Sequence, residues 1–127
     1  MGYTHYWDNN IHAISKVIDW NQAIKDCKKI IKASPVPLEE VECNIHNIVF
    51  NGAGEDAHDT FLVSYEGENS FCKTAIKPYD LIVVAILTRL AEINGFDVSS
   101  DGETDDWNEG IAFASKVLKR ELKCPLE

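Results

Sequence analysis

A chain of 127 residues, 45% hydrophobic and 26% charged, has the length and apolar content of one globular domain, residues 1–127, which argues against disorder apart from the ends. Its 21 acidic residues outnumber 12 basic ones, for a net charge of −9. Residues 1–33 hold five lysines against three aspartates and the remainder is strongly acidic, which excludes the broad basic surface needed to coat duplex nucleic acid.

The opening GYTHYW is aromatic-rich and reads as a short strand. Its alternation puts Tyr3, His5 and Trp7 on one face and Thr4 and Tyr6 on the other. DNNIHAISK does not choose between a loop and a helical turn. A helix is expected over Trp20–Ala33, with Asp19 as N-cap and Gln22 completing a capping box. Trp20, Ala23, Ile24, Cys27, Ile30 and Ile31 form its apolar stripe, Lys25, Lys28, Lys29 and Lys32 its solvent side, and Pro35 and Pro37 stop it. Asn47–Phe50, Thr60–Tyr65 and Ser70–Ile76 read as strands separated by turns, suggesting an antiparallel meander.

Next comes KPYDLIVVAILTRLAEING. Pro78 suits a first helical turn and Gly95 a stop. Seven consecutive apolar residues, Leu81–Leu87, leave little polar face, so this helix is expected at the centre of the core. FDVSS reads as a short strand and DGETDD as an acidic turn. A last helix is expected over Asp105–Leu122, capped by Thr104. The expected order is β-α-β-β-β-α-β-α, an α+β fold with a mainly antiparallel sheet and three helices on one face. Leu81, Val84, Ala85, Leu87, Ile111 and Leu118 are its expected core.

The run Leu81–Leu87 is too short to span a bilayer, and no basic segment followed by an apolar one opens the sequence. The four cysteines, Cys27, Cys43, Cys72 and Cys124, contain no Cys-x-x-Cys pair. These features lead to the expectation of a cytoplasmic protein with free thiols and no membrane contact.

Three segments could carry chemistry. In FCKTAIKPYD, Lys77 precedes the proline that opens the central helix, where free backbone N–H groups and the helix dipole attract anions. Read as a strand, the segment puts Lys73 on the alternate-residue face with Phe71 and Lys77, which would make a phosphate cradle. The plainer reading is a capped helix with two exposed lysines, since the glycines of a P-loop are missing. In VSSDGETDDW, Ser99 and Ser100 end a strand and their hydroxyls could meet phosphate or ribose. Asp101, Glu103 and Asp105 copy the start of a calcium loop, but position 106 is Asp where an EF-hand needs Gly, so no metal is expected. The plainer reading is a helix with acids at its favourable end. In Tyr3-Thr4-His5-Tyr6-Trp7, aromatic rings could stack on a base and His5 could bond to a ligand or act as a base. The plainer reading makes Tyr3 and Trp7 core residues and His5 a satisfied buried histidine.

GYTHYW, FCKTAIKPYD and VSSDGETDDW, in that order, resemble a family of short proteins found in bacteriophages and bacterial genomes. The resemblance covers nearly the whole chain, apart from residues 35–68, and carries over no catalytic residues. It implies a phage-type accessory protein in the host cytoplasm, directed at host defence. Joined to the residues above, it leads to the expectation of a non-enzymatic binder of a phosphorylated, nucleotide-like ligand. Lys73 and Lys77 would neutralise charge, Ser99, Ser100 and Asp101 would meet polar groups, and Tyr3, Trp7 or Tyr79 would stack, with His5 beside them. Two alternatives stand beside it. One is an acidic inhibitor of a host nucleic-acid-handling protein. The other is a small phosphoesterase or nuclease with His5 as base and Asp101 or Asp80 as acid or metal ligand. No cofactor is called for.

Overall fold

The computed structural model describes residues 3–8, 16–65 and 70–126, with the backbone alone at 16–18. Residues 9–15, part of the ambiguous DNNIHAISK stretch, and the turn expected at 66–69 lie outside the described residues. The elements run β1 (Thr4–Asp8), α1 (Lys16–Lys32), β2 (Leu38–Cys43), β3 (Asn47–Gly52), β4 (Phe61–Ser64), β5 (Ser70–Lys73), α2 (Asp80–Asn94), β6 (Asp97–Ser100) and α3 (Thr104–Leu118). The α+β class is as expected, and the strands are antiparallel throughout.

The strands form two three-stranded sheets, ordered β5-β1-β6 and β2-β3-β4. The expected meander therefore stops at β4. The N-terminal strand slots between β5 and β6, pairing His5 with Cys72 on one side and Ser100 on the other. One strand more is present than the sequence suggested. β2, LEEVEC, alternates no apolar residues and is an exposed edge, bulged between Glu39 and Glu42. Glutamates and a bulge on an edge oppose pairing with another chain. The sheets meet where the Asp59 N–H donates to the Lys73 carbonyl at 3.2 Å and the Lys73 N–H to Asp59 Oδ2 at 3.0 Å.

α2 is the centre of the core, as its apolar run requires: every residue from Ile82 to Leu90 is buried. Gly95, left-handed at φ 69°, ends it, a conformation glycine adopts without a Cβ penalty. The burial includes a charge. Arg89, 5% exposed, donates from Nε and Nη2 to Asp26 Oδ2 on α1, both at 2.7 Å, and also pairs with Glu92. Val84, Ala85 and Leu87 are core residues, while Leu81, Ile111 and Leu118 are only partly buried against it. α1 begins earlier than expected, so Asp19 lies inside the helix and not at its cap. Gln22 Nε2 donates instead to Asp26 Oδ1 at 3.0 Å. The cap of α3 is Glu103, which with Asp106 forms a capping box, and the helix ends at Leu118, short of Leu122. Among the described residues no helix is long and apolar enough to cross a membrane. All four cysteines are free thiols.

Candidate ligand-binding face

β1 presents two different chemistries on its two sides. The inward side carries His5 and Trp7, 0% and 3% exposed. His5 is enclosed by rings: Tyr3 and Trp107 each stand edge-on to it with centroids 5.1 Å away. Its Nε2 lies 2.7 Å from Asp80 Oδ1, and its Nδ1 lies 2.7 Å from Ser100 Oγ. An ionised Asp80 accepts the Nε2 proton, which leaves Nδ1 to accept the hydroxyl proton of Ser100. Thr74 Oγ1 also donates to Asp80 Oδ1, at 2.5 Å.

Ser, His and Asp in a row have the composition of a nucleophilic triad, but the wiring is reversed. The serine sits on Nδ1 and the carboxylate on Nε2, whereas the triad template puts the nucleophile on Nε2. The Ser100 oxygen also accepts the Gly102 N–H at 2.9 Å. Its proton goes to His5 Nδ1 and one lone pair to the Gly102 N–H, which ties the hydroxyl into the turn after β6. The array is a buried clip that ties β1 and β6 to the start of α2. The Tyr3 hydroxyl rests on Gly102, where a Cβ would come within 2.2 Å of it. Burial, followed by the Asp80 and Asp106 carboxylates, pushes the Tyr3 phenol up to about 12.

The outward side is set by register. Tyr6 stands opposite both Phe71 and Ser99, Thr4 opposite Lys73, and Asp8 opposite Asp97. Cross-strand partners share a face, so three rows of side chains lie across this sheet. The middle row is aromatic: Tyr6 is 42% exposed and Phe71 63%, with ring centroids 6.4 Å apart. Tyr6, Phe71, Ser99, Asp8 and Asp97 line a depression of about 390 Å³, within the range of small-molecule sites. One end row holds Lys73 and the other the two aspartates. A large exposed aromatic pair on a polar sheet face is unusual for a surface with no partner.

The start of α2 has the opposite character to a phosphate cradle. Lys77 shares its groove with four carboxylates, Asp80, Asp105, Asp106 and Glu109. One ammonium among four carboxylates repels an anion despite the helix dipole. The shared face drawn through Phe71, Lys73 and Lys77 also breaks. β5 ends at Lys73, and Ala75 and Ile76 are both left-handed, at φ 54° and 59°, before Lys77.

The nine residues singled out from the sequence therefore separate. Lys73 and Ser99 lie on the outward face with Tyr6 and Phe71. Tyr3, His5 and Ser100 belong to the clip. Asp101 is exposed, and its Oδ2 accepts the Thr4 N–H at 3.1 Å. Trp7 packs inward on Phe61 with centroids 5.2 Å apart. Tyr79 is 0% exposed and donates to the Asp59 carbonyl at 2.6 Å, so neither ring offers a face to a ligand. The exposed ring of β1 is Tyr6, at 42%, on the parity opposite to Tyr3, His5 and Trp7. Asp8 and Asp97 were missed, although the same alternation places both on the Tyr6 side. Comparison of the chain with known protein families, with characterised proteins and with solved structures finds no match in any of the three.

Proposed function

We propose that the chain is a non-enzymatic binder of a phosphorylated, nucleotide-like ligand, and that the outward face of the β5-β1-β6 sheet is the binding surface. One observation carries this reading. Tyr6 and Phe71 form an exposed aromatic pair over a depression of about 390 Å³, and an aromatic platform on a sheet stacks flat bases at about 1–3 kcal/mol each. On this reading Lys73, one row along, would meet a phosphate, and Ser99 a ribose oxygen. Binding rests on these short-range contacts, because the net charge of −9 opposes long-range attraction of an anion. The motif resemblance suggests the use: withholding a nucleotide signal from the host.

The test is to heat-denature protein purified under native conditions and analyse the released small molecules by mass spectrometry. Emptied protein is then titrated with nucleoside monophosphates by calorimetry. A nucleotide recovered in proportion to protein, or saturable monophosphate binding that weakens in Phe71→Ala, is the expected result. Neither recovery nor binding, with tight capture of a basic nucleic-acid-handling protein, would move the acidic-inhibitor reading ahead.

A further inference from the structure

The acid row of the outward face bears on which base it takes. Asp8 and Asp97 are direct cross-strand partners at the rim of the aromatic depression. Like charges directly opposite each other in an antiparallel pair destabilise it. Among the described residues neither carboxylate belongs to an ion pair. Two ionised carboxylates accept hydrogen bonds and donate none. A ligand edge rich in N–H donors would relieve their repulsion, whereas a carbonyl edge would add to it.

Row order fixes how such a ligand would lie. Along β5, Lys73 is two residues from Phe71, roughly 7 Å at strand spacing. The aspartates are the same two-residue step away on the other side, along β1 and β6. A nucleotide laid obliquely across the sheet, from β5 toward β6, puts its base on Tyr6 and Phe71, its phosphate toward Lys73 and the far edge of the base against the carboxylates. On the strength of the platform reading above, we propose that this site selects nucleobases carrying an exocyclic amine at that edge, held by Asp97 with Asp8, over their keto counterparts. Acid side chains accepting from a cytosine amine are a known pairing. The aromatic pair supplies stacking that any base satisfies, and the carboxylates supply the choice.

Two matched ligand pairs isolate the choice, because each differs at one position: cytidine against uridine monophosphate, and adenosine against inosine monophosphate. The full chain and Asp97→Asn are titrated with all four, and the unfolding midpoint of the variant is measured alongside. The expected result is tighter binding of the amino member of each pair by about fivefold or more, the lower end for a base-edge contact. Asp97→Asn should bring both ratios close to one, since its amide can also donate to a keto oxygen, without lowering the midpoint, since Asp97 is exposed and the change removes its repulsion with Asp8. Equal affinities within both pairs, with binding still weakened by Phe71→Ala, would overturn the selection while leaving the platform intact. Failure of all four monophosphates to bind would overturn both.

Discussion

Replacing Phe71 and Trp7 by alanine in separate variants tests which parity of the sheet binds and which folds. Phe71 is 63% exposed, so only about a third of the roughly 1.5–3 kcal/mol available from full burial is at stake in Phe71→Ala. Loss of its pairing with Tyr6 adds at most about 1 kcal/mol, which leaves a stability cost of roughly 1–2 kcal/mol. Base stacking on an aromatic side chain is worth about 1–3 kcal/mol, so the same change should weaken nucleotide binding by roughly 5- to 150-fold. Trp7 is 3% exposed and packs on Phe61. Trp7→Ala should therefore cost about 3–5 kcal/mol of stability. Urea denaturation gives the first quantity for each variant, and calorimetric titration of protein confirmed as folded gives the second. If Phe71→Ala binds like the parent while a folded, conservative Trp7→Phe loses affinity, the ligand lies on the inward parity and the platform assignment is refuted.

Three further outcomes follow from the packing. Arg89→Met should destabilise by about 3–5 kcal/mol by stranding Asp26 in the core, and Asp26→Leu with Arg89→Met should recover most of that loss; additive losses in the double-mutant cycle would mean that the two charges are not coupled. Gly110→Ala would place a Cβ 2.4 Å from Val84 Cγ1 and 3.2 Å from the Leu81 carbonyl. Because a β-branched valine cannot rotate away cheaply, the variant should lose about 1–3 kcal/mol despite a gain of about 1 kcal/mol in helix propensity; a raised melting temperature would contradict the close α2–α3 approach. Burial raises Cys72 from 9 to about 12 and Tyr3 from 10 to about 12. Both groups ionise more readily in the unfolded chain, so their contribution is fully present below about pH 9 and is lost as pH rises to about 12. The urea midpoint should stay level up to about pH 9 and then fall, less steeply in Cys72→Ala; a midpoint that climbs above pH 9 would go against this.

Local features of the chain determined much of the secondary structure. The LIVVAIL run with Pro78 before it and Gly95 after it leaves no face for water, and α2 is the buried centre. The period of the α1 stripe placed Lys25, Lys28, Lys29 and Lys32 outside. Alternation in β1 correctly divided its side chains into two faces. It could not say which face was outward, because both carry aromatic rings and a period of two reads the same from either side. That was decided by tertiary packing: Trp107 on α3, Asp80 on α2 and Ser100 on β6 close over His5, and Tyr6 is left in solvent with Phe71. Pairing of β1 with β5 and β6 joins residues 63 to 95 positions apart, a separation at which local pattern carries no signal. Arg89 stands in an otherwise apolar stretch of α2, and its partner Asp26, 63 residues away, meets it only where α1 packs on α2. The acidic β2 was not legible either, since an exposed edge strand has no buried side to impose alternation. Lys77 likewise read as an anion ligand while only its own helix start was in view. The first two turns of α3, which bring Asp105, Asp106 and Glu109 to the same groove, reverse the sign of the field there, and that neighbour exists only in the folded chain.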